Sequence, residues 1–363
     1  MIVYSMLLFT VCSIIALIEG KSNKLNSING NNERSRKLDR HRISFVVTFF
    51  ILSTFSAIRD GVGCDYESYV LHILNIQSGN KSYMEEGFQK VVIWASKIDQ
   101  NPRLVIIIFA ILTCFFYIKA IWDQSTNRLF SVFIFLSWGY YFLTFNTIRN
   151  YFALAVVLYS IKFLDKNKYI KFIFFVIVAS FFHKSALVCI PIYLLAKRKY
   201  SIKYVPFIIL ITVLAILLKG YLREFLFIFY PGYMGSAYDV GHVSYLNIIK
   251  AVLVIILCAI NYKNIKNDSL SRFFFNLNVL SLVFYIGFYW TPEISRIGFY
   301  MNATSIFLIP RVIDNFKKIK SKTIVYSVVI VFSIILFFLL MNQFQEITTR
   351  LLPYKTWIFN GTY

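Results

Sequence analysis

The apolar run from Lys171 to Arg198, broken at its centre by His183 and Lys184, strongly constrains how this chain can fold. It is too long for one core helix. As a single span it would carry Lys197, Arg198, Lys199 and Lys203 to the opposite side of a bilayer from Lys162, Lys166, Lys168 and Lys171. Positive loops belong on the cytoplasmic side. The conflict disappears if the segment enters, turns at Phe182-His183-Lys184-Ser185 and returns. Each arm of about 13 residues then reaches roughly 20 Å, about two-thirds of a hydrocarbon core. A histidine and a lysine sit at the turn, inside the membrane zone, where ionisable groups are costly and mark substrate paths.

Apolar windows of helix length also fall at 1–18, 43–58, 103–121, 129–146, 148–164, 204–219, 246–261, 273–290, 292–313 and 323–342. With 58% hydrophobic and 15% charged residues and a mean hydropathy of +0.65, the chain is built from spans rather than around a water-excluding core. The expected fold is all-α. It is a polytopic integral membrane protein of about ten transmembrane helices plus a re-entrant or broken hairpin over 170–197. Residues 1–363 are expected to form a single membrane domain, with external segments at 59–102 and 220–245.

Met1 to Ile18 reads as a first membrane helix, because no basic residue precedes it and no small-residue cleavage site follows. Alternating the spans places 19–42, 119–128, 162–171, 197–203, 262–272 and 311–322 in the cytoplasm. Those short loops hold most of the Lys and Arg, which puts both termini outside. The net charge of +21 would suggest nucleic acid in a soluble protein; here it punctuates spans, and nucleic acid is not an expected partner. The five cysteines show no spacing for zinc or for a disulfide framework. No nucleotide loop, HExxH or GxSxG pattern occurs, so neither a metal nor a cofactor is expected.

Unusual polar groups then collect on the external side. Arg59-Asp60-Gly61-Val62-Gly63 stands where the second span exits. Its glycines allow a tight turn that exposes N–H groups, and Arg59 either snorkels to the interface or binds an anion. Asp60, Asp65 and Glu67 do not match a calcium loop. Residues 88–98 have an amphipathic pattern suited to a membrane surface. Asn146, Arg149 and Asn150 share one helix face, either as a polar helix seam or as a clamp for an oxygen-rich anion. Thr291-Pro292 is a plausible helix start, with Arg296 one turn in; Glu293 would neutralise it if it is not a phosphate ligand. His183 is either a hydrogen-bonded packing residue or a general base, and Lys184 beside it implies water or an anion nearby.

These pieces, in order, resemble the EpsG family of Wzy-type bacterial polysaccharide polymerases. They are Arg59-Asp60-Gly61-Val62-Gly63-Cys64-Asp65-Tyr66-Glu67-Ser68-Tyr69, Glu86-Gly87-Phe88, Asn146-Thr147-Ile148-Arg149, Phe182-His183-Lys184-Ser185-Ala186-Leu187 and Arg296-Ile297-Gly298-Phe299-Tyr300, with Pro353-Tyr354-Lys355 as a weaker tail match. Cys64 departs from the family, which usually has Thr there.

The resemblance implies a metal-independent membrane glycosyltransferase in the bacterial inner membrane, its active site facing the periplasm or exterior. Its implied substrates are undecaprenyl-diphosphate-linked oligosaccharides, polymerised into O-antigen, capsule or exopolysaccharide. Membrane lipids and a chain-length regulator would be further partners. In that frame Arg59, Arg149 and Arg296 clamp the diphosphate, and His183 is the base with Asp65 as its rival. Tyr66, Tyr69 and Asn146 contact sugar, and Tyr233 and Tyr238 stack sugars or belong to an interfacial aromatic belt. A flippase for the same lipid-linked units, a ligase and an acyltransferase are the alternatives.

Overall fold

The structure is a computed structural model that describes residues 1–20, 30–80, 82–199, 205–229, 234–235, 241, 243–291, 294, 296–346 and 349–359. It is all-α; among the described residues there is only one isolated β-bridge outside the helices. Packing divides it into two compact units: Met1–Lys184 with Ile324–Tyr363, and Ser185–Thr323.

The first unit contains α1 (Ile2–Gly20), α2 (Gly30–Ala57), α3 (Tyr66–Gln77), α4 (Glu86–Ser96), α5 (Pro102–Gln124), α6 (Arg128–Ser137), the short α7 (Tyr140–Leu143), α8 (Ile148–Asp165) and α9 (Tyr169–Ser180). Helix α5 is its axis, packed against α2 and α8, with α9 lying along α8. Its start follows from sequence: Asn101 accepts the Arg103 N–H, and Pro102 occupies the first turn, where its missing N–H costs nothing. Several buried polar groups bond across helix contacts, as a membrane interior favours. The Trp138 indole donates to Ser333 Oγ (2.8 Å), Tyr141 to the Leu52 carbonyl (2.6 Å) and the Gln124 amide to the Leu158 carbonyl (2.9 Å). Large apolar side chains such as Phe9, Phe50 and Ile170 face outward, the pattern that contact with lipid requires.

The second unit contains α10 (Cys189–Ala196), α11 (Val205–Leu217), α12 (Lys219–Phe229), α13 (Tyr245–Ile260), the short α14 (Tyr262–Ile265), α15 (Ser269–Leu282), α16 (Ile297–Asn302) and α17 (Ser305–Asp314). A π-helical turn over Val283–Gly287 extends α15. An asparagine network glues it: Asn276 donates to the Ala196 carbonyl (2.7 Å), Asn278 to Thr304 Oγ1 (3.1 Å) and Asn302 to Asn278 Oδ1 (3.3 Å). The last long helix, α18 (Ile319–Gln343), belongs from Ile324 onward to the first unit.

Among the described residues, four helices are long and apolar enough to cross a membrane: Ile2–Gly20, Pro102–Gln124, Ser269–Gly287 and Ile319–Gln343. A fifth arises if Val205–Leu217 and Lys219–Ile228, bent by 72°, form one span. The remaining apolar windows hold helices that are shorter, broken or more charged. The 129–146 window breaks after Ser137, where Gly139 takes a left-handed backbone (φ 77°). The 292–313 window is divided between α16 and α17. Helix α8 carries Arg149, Lys162 and Asp165. Short and interrupted apolar helices are what a membrane protein uses to build polar cavities.

The break expected at His183 is present. Helix α9 ends at Ser180, a turn follows, and a 3₁₀ segment over Lys184–Val188 leads to α10. Because α9 returns along α8 after a three-residue connection (166–168), its far end lies toward the start of α8. That is where Arg149 stands.

Candidate active site

Two glycines shape the loop that leaves α2. Gly61 (φ 61°) and Gly63 (φ 112°) both occupy positive φ, which side chains rarely tolerate. A Cβ on Gly63 would meet the Phe145 carbonyl at 2.6 Å and Asn146 Oδ1 at 2.9 Å. The Asn146 side chain accepts the Cys64 N–H (3.1 Å), pinning the loop to the start of α8. Three N–H groups of the loop are taken by the protein itself rather than exposed. Asp60 donates to the Lys355 carbonyl (3.0 Å), Gly63 to that of Arg350 (2.8 Å) and Cys64 to that of Thr349 (3.1 Å). Arg59 forms an antiparallel bridge with Thr356, and the Trp357 N–H donates to the Ile58 carbonyl. The carboxy-terminal stretch 349–357 is thus strapped onto this loop, and the Tyr354 hydroxyl donates to the Phe55 carbonyl (2.5 Å) beneath it.

Arg59 is buried in this arrangement, at 2% exposure. Its Nη1 donates to the Ser56 carbonyl (2.5 Å) and Oγ (2.9 Å), and its guanidinium lies 4.8 Å from the centre of the Phe145 ring. Tyr66 is also buried, its hydroxyl donating to Asp60 (3.1 Å), which in turn faces Arg103 (3.5 Å). Burial, reinforced by Asp60, pushes the Tyr66 hydroxyl up to about 12, so it stays a proton donor in this contact. Asp65 precedes α3, half-buried, its Oδ1 3.6 Å from the Cys64 Sγ.

The second cluster is where Arg149 and His183 converge. Both meet Glu85, a residue that sequence reasoning left out of the candidate set. Arg149 Nη1 forms an ion pair with Glu85 Oε2, and His183 Nδ1 lies 3.3 Å from Oε1. The Lys184 N–H also reaches Oε1 (3.4 Å). The Arg149 and Glu85 side chains keep 15% and 12% exposure and His183 31%, so the cluster is enclosed on the arginine side and open on the histidine side.

Tyr69 completes the wall. Its hydroxyl oxygen accepts from Arg149 Nε (3.4 Å), and the guanidinium lies 5.9 Å from the Tyr69 and Phe88 ring centres. Burial raises the Tyr69 hydroxyl above its ordinary value, with Arg149 opposing the shift. One helix turn on, the His72 imidazole is held below its ordinary value, by burial first and Arg149 second. Its Nε2 pairs with the Tyr83 hydroxyl (2.7 Å).

Gly87 explains how Glu85 arrives there. Its N–H donates to the Phe181 carbonyl (2.9 Å), and a Cβ at this position would sit 2.7 Å from that oxygen. Only a bare backbone lets the start of α4 dock on the turn after α9. Phe182 anchors the other side, its ring packed edge-on against Phe152 (4.7 Å) and Phe109 (5.9 Å). The one signal for Glu85 in the sequence was the Glu-Glu-Gly-Phe string, where a glycine inside a helical pattern marks close backbone approach. Helix α4 buries Phe88, Val92 and Ala95 while Ile93 and Trp94 stay exposed, so it is apolar on two faces.

Arg296 belongs to the second unit, half-buried in the turn before α16. Gly298 beside it packs against Tyr285, where a Cβ would approach the ring to 2.6 Å. Pro292, Glu293, Tyr233 and Tyr238 lie outside the described residues. The structure therefore joins Arg149, His183 and Tyr69 through Glu85. It sets Arg59, Tyr66 and Asn146 into the framework of the loop below. Among the described residues, no group of three or more His, Cys, Asp or Glu side chains is placed to hold a metal ion.

Comparison with protein-family models gives a match to the EpsG family over residues 42–356. Comparison with curated proteins and with solved structures gives no match.

Proposed function

The chain belongs to the EpsG family, a family of Wzy-like polysaccharide polymerases, and on that premise we propose that it polymerises undecaprenyl-diphosphate-linked oligosaccharide repeat units. The reaction is glycosyl transfer at the outer face of a bacterial inner membrane. An acceptor hydroxyl oxygen attacks the anomeric carbon of the growing chain, and its proton passes to His183. The bond between that carbon and the diphosphate breaks, and the electron pair leaves on the phosphate oxygen. Diphosphate is a capable leaving group, so cationic clamps suffice to stabilise its charge, and arginine suits phosphate oxygens through its planar fork. In this reading Arg149 holds the diphosphate and Tyr69 lines the sugar path, and Arg296, in the other unit, is a separate candidate phosphate ligand. Arg59 supports the loop. Asp65, beside the loop, is the second candidate base. The polymer is an O-antigen, a capsule or an exopolysaccharide.

One observation carries the reading: a cation suited to phosphate and an imidazole suited to proton transfer meet on one partly enclosed carboxylate, on motifs that the family match spans. Cells lacking the chain are expected to keep single lipid-linked repeat units and lose the long-chain ladder on a polysaccharide gel. Units trapped at the cytoplasmic face would instead identify a flippase.

Sidedness has its own check. A reporter fused after Lys199 is expected in the cytoplasm and one after Tyr238 outside, since 197–203 is a basic connector. An external signal at Lys199 would make 170–197 a single crossing and overturn the hairpin.

A further inference from the structure

We infer that Glu85 is a positioning residue that fixes the proton of His183 on Nδ1 and leaves Nε2 as the basic nitrogen turned toward the acceptor. The inference rests on the polymerase reading for the chemistry, but its geometry stands apart. Glu85 Oε1 lies 3.3 Å from Nδ1, at ion-pair distance rather than in an aligned hydrogen bond, while Oε2 is paired with Arg149. A carboxylate tied down by an arginine presents its free oxygen as an acceptor, and an acceptor beside one ring nitrogen draws the proton there. The other nitrogen must then carry the lone pair. The backbone enforces this placement, because Gly87 docks on Phe181 and the Lys184 N–H reaches the same Oε1.

During transfer the acceptor hydroxyl loses its proton to Nε2 as its oxygen bonds to the anomeric carbon. The imidazolium so formed holds N–H on both nitrogens, with Glu85 as its counter-charge. The proton leaves from Nε2 to solvent after the lipid diphosphate departs, which restores the starting tautomer.

The charged and titratable groups around His183 come from each packed element. Glu85 before α4 meets the ring itself and Lys184 lies beside it on its own segment; Arg149 on α8 meets Glu85, Tyr69 and His72 on α3 face Arg149, and Asp65 faces Tyr69. Glu85 is an anion at ion-pair distance from the ring. Glu85→Gln removes that charge and lets an amide N–H face Nδ1, which shifts the ring proton to Nε2, the wrong nitrogen for a base. Turnover is expected to fall about 10²–10⁴-fold, as for other acid–base groups whose tautomer is lost. The KM for lipid-linked donor should change little. Residual activity should have its acidic limb moved to lower pH by roughly one unit, because a neighbouring anion favours the imidazolium. Glu85→Asp, which keeps the charge, should recover part of the turnover and return the limb toward wild type.

The decisive measurement does not use activity. ¹⁵N NMR of histidine-labelled wild-type protein in detergent or nanodiscs, with the His183 signal identified by its loss in His183→Ala, should show Nδ1 protonated and Nε2 bare at neutral pH. The opposite tautomer overturns the inference, whether or not Glu85→Gln folds. Wild-type turnover and an unmoved pH profile in a well-expressed Glu85→Gln also overturn it. Normal polymerisation by His183→Ala would instead remove the polymerase role of the histidine, while the tautomer result would stand or fall separately.

Discussion

His183→Ala is expected to abolish polymerisation while leaving the membrane level of the protein and the binding of lipid-linked donor nearly intact. The loss should be about 10²–10⁴-fold in turnover, the usual contribution of a positioned proton acceptor. Two structural facts predict that the protein survives. His183 lies in a turn between helices rather than within one, and its side chain is 31% exposed, so truncation opens no sealed cavity. Phe182 and Gly87 hold that turn in place independently of the imidazole. Purified protein with a defined donor should show binding without turnover. Near-normal ladders from a well-expressed variant would make His183 a packing residue, and Asp65→Asn would then be the variant to assay.

Arg149→Lys is expected to cost about 10²–10³-fold in rate, the effect of losing one preorganised charge contact. The guanidinium uses two of its edges in the resting protein, Nη1 toward Glu85 and Nε toward the Tyr69 hydroxyl. An ammonium on a flexible stem is a point charge and cannot hold both while also meeting a diphosphate oxygen. Arg59→Lys provides the contrast. Arg59 is buried against Ser56 and the Phe145 face, so its replacement should lower the amount of folded protein rather than the turnover per molecule. Membrane-level immunoblots paired with ladder analysis separate the two outcomes. Wild-type turnover in Arg149→Lys would remove Arg149 from the diphosphate site.

The fold was legible where hydrophobicity alone decides it. Helices occupy nearly every apolar window, and the break at His183 is where the ionisable pair interrupts the run. Interruptions set by packing were less visible. Gly139 takes positive φ beside Leu340 and ends α6, and nothing within its own window announces α18 as the neighbour. Of the site, Arg149 and His183 stood out because a charge in an apolar run is conspicuous. Glu85 did not, because an acidic residue in a polar loop is ordinary until a distant turn packs against it. The glycine loop misled for a related reason. Gly61 and Gly63 do shape a tight turn, but the N–H groups of Asp60, Gly63 and Cys64 are taken by 349–357, a partner near the other end of the chain.

That last pairing sets an order of events for a newly made molecule. The loop after α2 emerges early from the ribosome, and the stretch that satisfies its N–H groups is made roughly 300 residues later. At about 5–20 residues per second, the interval is roughly 15–60 s. Throughout it, the amides of Asp60, Gly63 and Cys64 must be hydrated or borrowed by other partners, because unmet backbone donors are costly away from water. A chain halted before Thr349 would keep α8 with Arg149 and the turn with His183 and still lack the strap on the loop after α2. Completion of synthesis is thereby coupled to closure of the loop, and an unfinished chain leaves those three amides without their carbonyl partners.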